Sequence, residues 1–145
     1  MTLAELIRRL EATREGSREL DALVCEAIIN VPMGGDNPCL WGPAPDGHRG
    51  AIAEMEVLGR VQPYTASVDA ALGLVPEGWA WQVGAVYRDR RAAPVIRAAV
   101  FNDRTGMVLA SECCEAKAHT APIALCIAAL RARAVLTAAA TRGAL

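Results

Sequence analysis

Two histidines, His48 and His119, and five cysteines, Cys25, Cys39, Cys113, Cys114 and Cys126, are the side chains in these 145 residues best suited to nucleophilic, acid–base or metal chemistry. An odd number of cysteines without a Cys-x-x-Cys spacing argues against both a disulfide framework and a zinc ribbon. Cys25 and Cys126 fall among apolar residues at helical spacing, where a reduced thiol packs as a small hydrophobe. Cys113, Cys114 and His119 form the nearest approach to a metal set. Adjacent residues of a strand point to opposite faces, however, so the two thiols do not converge on one ion. The histidines lie far apart, and the chain has no Gly-rich phosphate loop, no Gly-x-Ser-x-Gly elbow and no His-Glu-x-x-His. The residues therefore assign no catalytic, cofactor-binding or metal role, and the chain reads as a non-enzyme.

Two other groups of residues suit binding. From residue 31 to 63 the chain is punctuated by Gly34, Gly35, Pro38, Gly42, Pro43, Pro45, Gly47 and Gly50, and reads as a Gly/Pro-rich insertion in which only Ala51 to Leu58 suggests a short helix. It carries Trp41, Asp46, His48 and Arg49, the candidate protein-contact residues, since an aromatic on a polar loop can anchor an interface. The second group is the arginines Arg88, Arg90, Arg91, Arg131 and Arg133, the candidate contacts to nucleic acid in an alternative reading. Acidic residues such as Glu5, Glu11, Asp89 and Glu115 are interspersed, which favours solvated mixed-charge surfaces over a phosphate track. Lys117 is the one lysine among 15 basic residues, and with the many alanines this reflects base composition more than selection for phosphate.

The elements that would position these groups follow from periodicity. Thr2 and Glu5 form a capping box for a helix from Leu3 to Ala12, with Leu3, Leu6, Ile7 and Leu10 on one stripe. Gly16 breaks it, and Ser17 caps a second helix that buries Leu20, Leu23, Val24, Ala27 and Ile28 before Asn30 and Pro32. Thr65 is read as the cap of a short helix with Val68, Ala71, Leu72 and Val75 inward, stopped by Pro76-Glu77-Gly78. Period two then places Trp79, Trp81, Val83, Ala85 and Tyr87 on one side of a strand, with Arg88 to Arg91 as its turn. Further strands are predicted from Pro94 to Phe101 and from Met107 to Glu115, joined by a hairpin loop at Asn102 to Gly106. A last helix is capped by Thr120, with Pro122 in its first turn and Ile123, Cys126, Ile127, Leu130 and Ala134 as its inner face.

Apolar residues on both sides of the second strand imply helices on both faces of the sheet. The expected fold is thus α+β: an α/β/α sandwich with a three-stranded antiparallel sheet, formed by residues 1–145 as one domain with the insertion at about 31–63. A hydrophobic fraction of 53%, a charged fraction of 21% and a net charge of −1 fit a globular protein and exclude wholesale disorder or a polybasic coat. Glu5, Arg8 and Arg9 interrupt any signal-like run. The apolar stretch from Ala121 to Leu130 falls short of the roughly 20 residues a bilayer requires. The expectation is a cytoplasmic protein without a membrane partner.

Four segments resemble a known family: Leu3 to Thr13 (LAELIRRLEAT), Ser17 to Val24 (SRELDALV), Tyr64 to Trp79 (YTASVDAALGLVPEGW) and Thr120 to Arg133 (TAPIALCIAALRAR). They are similar to small phage and prophage proteins containing the phage ABA sandwich domain, with Tyr64 to Trp79 the most specific part. The resemblance implies an α/β/α sandwich of phage origin and brings no catalytic residues. The function expected is that of a phage or prophage accessory protein, a non-enzymatic protein-binding module in the host bacterial cytoplasm. Its partner would be a phage or host protein. A homodimer is compatible with so small a sandwich, though no sequence pattern specifies one.

Overall fold

The computed structural model describes residues 2–30, 61–102 and 113–143. Helix α1, Leu3–Ala12, opens on the expected capping box: the Glu5 N–H donates to Thr2 Oγ1 at 3.2 Å, and the Thr2 N–H donates to Glu5 Oε2 at 2.6 Å. These bonds hold the Glu5 carboxyl below the usual carboxylate range. Helix α2, Arg18–Asn30, buries Leu20, Val24, Cys25 and Ile28. Helix α3, Val68–Leu72, is capped by Ser67, whose side chain accepts the Ala70 N–H, and not by Thr65. Thr65 is instead buried in a polar cluster described below.

Strands β1, Trp79–Val86, β2, Val95–Asn102, and β3, Cys113–Ala118, form one antiparallel sheet in the order β1-β2-β3. Gly78, at φ 80°, makes the turn into β1 in a conformation that side chains disfavour. The third strand runs three residues past the predicted end at Glu115, and the part predicted from Met107 to Glu112 lies outside the described residues. Ala116-Lys117-Ala118 alternates small and charged residues, a pattern too weak in β propensity to have marked a strand.

Helix α4, Ala121–Gly143, is the centre of the molecule. Ile123 through Leu130 are all essentially inaccessible, so the helix is buried round its full circumference there and not along one inner face as the spacing suggested. It packs against β2 and β3 on one side and against α1 and α3 on others. The sheet face it meets is made by Ala98, Val100, Cys114, Ala116 and Ala118, all buried and in one core with α4. Small side chains on both sides of this contact, including Ala124, Ala128, Ala129 and Ala132, favour close approach. By length and composition α4 could also cross a membrane, since it continues well past the apolar run read from sequence. The burial of Ile123 to Leu130 identifies those residues as core instead.

The α+β class, the three antiparallel strands and the packed helices are those the sequence implies. On the sheet face turned away from the buried alanines, Val95, Ala99 and Phe101 of β2 are half-buried, while Gln82, Gly84, Val86, Arg97, Glu115 and Lys117 are exposed.

Candidate functional site

The tightest polar cluster joins the start of α2 to the segment before α3. Asp21 is only 1% exposed; its Oδ1 accepts the Thr65 N–H at 2.8 Å and the Thr65 hydroxyl at 2.7 Å. Its Oδ2 pairs with Arg18 at 2.9 Å, and Arg18 also donates to the Val61 carbonyl at 2.7 Å. The Ser17 N–H donates to Thr65 Oγ1 at 3.0 Å. A β-carbon at position 16 would lie 2.3 Å from the Thr65 carbonyl oxygen, so the close approach of these two chains requires Gly16. The Cys126 thiol donates to the Tyr64 carbonyl at 3.1 Å. Burial, with a smaller effect of the Asp21 charge, pushes that thiol up to about 12, so it stays protonated and unreactive at neutral pH. Carboxylate, hydroxyl and thiol thus come together, but as a satisfied buried clamp between chain segments. Sequence reasoning missed it; an aspartate beside the apolar stripe Leu20 and Val24, five residues after a glycine, was the available signal.

The candidate protein-contact residues Trp41, Asp46, His48 and Arg49 lie outside the described residues. Of the candidate nucleic-acid arginines, Arg88, Arg90 and Arg91 are exposed together on the β1–β2 turn. Arg131 pairs with Glu11 at 2.7 Å and donates to the Glu115 carbonyl at 2.7 Å. Arg133 is buried and donates to the Leu74 carbonyl at 2.7 Å, just past α3. The structure therefore gathers three of the five and assigns the other two to internal contacts. His119 is exposed, immediately before the Thr120 cap, whose hydroxyl accepts the Ile123 N–H. Cys113 is half-buried on one sheet face and Cys114 buried on the other, where desolvation raises its thiol. Among the described residues no three histidine, cysteine or acidic side chains are grouped as a metal site.

What the described surface offers is strand β1. Its eight residues, WAWQVGAV, carry no charge, and it is an edge of the sheet. The Trp79 N–H turns away from β2 to the Pro76 carbonyl, 3.1 Å distant. By the alternation of antiparallel pairing, Trp81, Val83 and Ala85 likewise direct their N–H and C=O groups outward. Trp79 and Val83 pack on the core, as the period-two reading proposed, but Trp81 on the same side is 47% exposed, because α4 lies mainly over β2 and β3. Val86 and Tyr87 are also exposed, at 40% and 68%. Tyr64 is buried in the core, so Tyr64, Trp79 and Trp81 present no continuous aromatic surface to solvent. Behind the strand, an open cavity of about 260 Å³ is lined by Gln82, Gly84, Ala85, Val86, Arg97 and Glu115, among others, with Arg97 paired to Glu115 across it.

Comparison of the chain with models of protein families, with curated proteins and with solved structures finds no match.

Proposed function

We propose that this protein is a non-catalytic protein-binding module, an accessory protein of a phage or prophage acting in the bacterial cytoplasm. The observation that carries the binding role is the uncharged, outward-facing edge of β1 with Trp81, Val86 and Tyr87 exposed beside it. Natural edge strands are usually blunted by charge, proline or a covering element, and one left unblunted offers a template for another polypeptide. The phage setting rests on the resemblance of the four segments quoted above. The insertion carrying Trp41, Asp46, His48 and Arg49 is a second contact region in this proposal. A nucleic-acid role draws on Arg88, Arg90 and Arg91, since Arg131 and Arg133 are committed to protein carbonyls.

Capture from induced host lysate, with and without nuclease, tests the proposal. Recovery of a protein at defined stoichiometry, lost with Trp81→Glu, supports β1 as the contact; loss on deleting Gly34 to Gly50 instead would move it to the insertion. Nuclease-sensitive nucleic acid without a protein would replace the proposal with the arginine reading.

A further inference from the structure

We propose that β1 pairs with β1 of a second copy of this chain, antiparallel about a two-fold axis at Gln82, extending the sheet to six strands. The inference rests on β1 being the contact surface and names its occupant. Antiparallel pairing sets residues of the same sheet face opposite one another. With Gln82 on the axis, Trp81 lies opposite Val83 of the second copy, Trp79 opposite Ala85 and Ala80 opposite Gly84. Each tryptophan then meets a smaller side chain, and no charge enters the paired strands. Trp81 and Val83 both direct their backbone groups outward, so they form a hydrogen-bonded pair on each side of the axis.

The flanks decide orientation and partner. Exposed Glu77 precedes the strand, and the exposed turn Arg88-Asp89-Arg90-Arg91, positive overall, follows it. In the antiparallel arrangement Glu77 of each copy sits beside Tyr87 and Arg88 of the other, so opposite charges meet at both ends. A parallel arrangement would set the two arginine turns side by side, which like-charge repulsion opposes. The sequence of this edge is therefore complementary to itself in one orientation only. A contact confined to one pair of strands predicts a reversible association.

Sedimentation velocity of the full chain across micromolar to millimolar concentration tests this. The expected result is a monomer–dimer equilibrium that Ala85→Pro shifts to monomer: the substitution removes an outward N–H and leaves the β1–β2 ladder its donors. Glu77→Arg is expected to weaken the dimer at least tenfold, and the triple variant Glu77→Arg, Arg88→Glu, Arg90→Glu to restore it, a rescue that a folding defect would not give. Circular dichroism of each variant checks that the monomers are folded. A chain monomeric throughout, or a dimer indifferent to both the proline and the charge reversal, overturns the inference. A monomer that still captures a different protein through Trp81 would overturn the self-pairing alone; a monomer that captures none would overturn the binding proposal with it.

Discussion

Among the described residues, strands β3 and β1 are both edges of the same sheet, and each has a row of backbone N–H and C=O groups without a strand partner. At β3 one group of that row is taken from within the chain. The outward Glu115 carbonyl accepts from Arg131 of α4, Arg131 is held by Glu11 of α1, and the strand carries Glu115 and Lys117. At β1 no charge, proline or described side chain does the same work, and the exposed residues beside it are a tryptophan, a valine and a tyrosine. Backbone groups at a sheet edge are satisfied from within the chain, by water or by a neighbouring chain that displaces that water. Among the described residues a contact from within reaches β3 and none reaches the outward edge of β1, which the proposal above assigns to another chain.

The largest effect expected from sharpening this contrast lies on the closed side. Ile127→Ala should cost about 2–5 kcal/mol in denaturant unfolding, because the residue is inaccessible inside α4. Trp81→Ala at the open edge should cost less than about 1 kcal/mol and act on association instead. Asp21→Ala comes next: it strands the buried Thr65 N–H and should cost about 1–3 kcal/mol.

Arg131→Ala would break the contrast directly. Loss of the carbonyl contact should cost about 1 kcal/mol, and the uncovered β3 edge should make the variant associate more strongly than the parent in light scattering. Unchanged association would show that Arg131 does not guard that edge. Gly84→Ala should stabilise β1 by about 0.5–1 kcal/mol, since a β-carbon there meets nothing within 4 Å.

Thiol labelling resolved by peptide mass spectrometry supplies the smallest perturbation. At pH 8 the half-buried Cys113 should label ahead of Cys25, Cys114 and Cys126. The Cys126 thiol titrates higher folded than unfolded, so its contribution to stability is complete below the unfolded thiol value and is lost as pH rises towards about 12.

Much of the layered fold is legible in the sequence because it depends on periodicity: the Thr2–Glu5 box, the stripe Leu6 and Leu10, and the alternation from Trp79. What depends on which elements meet is not. The all-round burial of α4 was hidden because alanines read equally well as surface or core. Thr65 looked like a cap because threonine before a helix usually is one; only the Gly16 and Asp21 geometry shows otherwise. Arg131 and Arg133 looked like surface charge, since sequence spacing does not reveal the carbonyls that receive them. For β1 the alternation located Trp81 on the correct side of the strand, while its exposure follows from the position of α4 over the neighbouring strands.

Amide hydrogen exchange followed by NMR at two protein concentrations, one below and one above the midpoint of association, tests the asymmetry of the edges most directly. The N–H groups of Trp81, Val83 and Ala85 should gain protection with concentration, while those of Glu115 and Lys117 stay unchanged. Concentration-independent exchange at β1, or equal protection of both edges, would contradict the account.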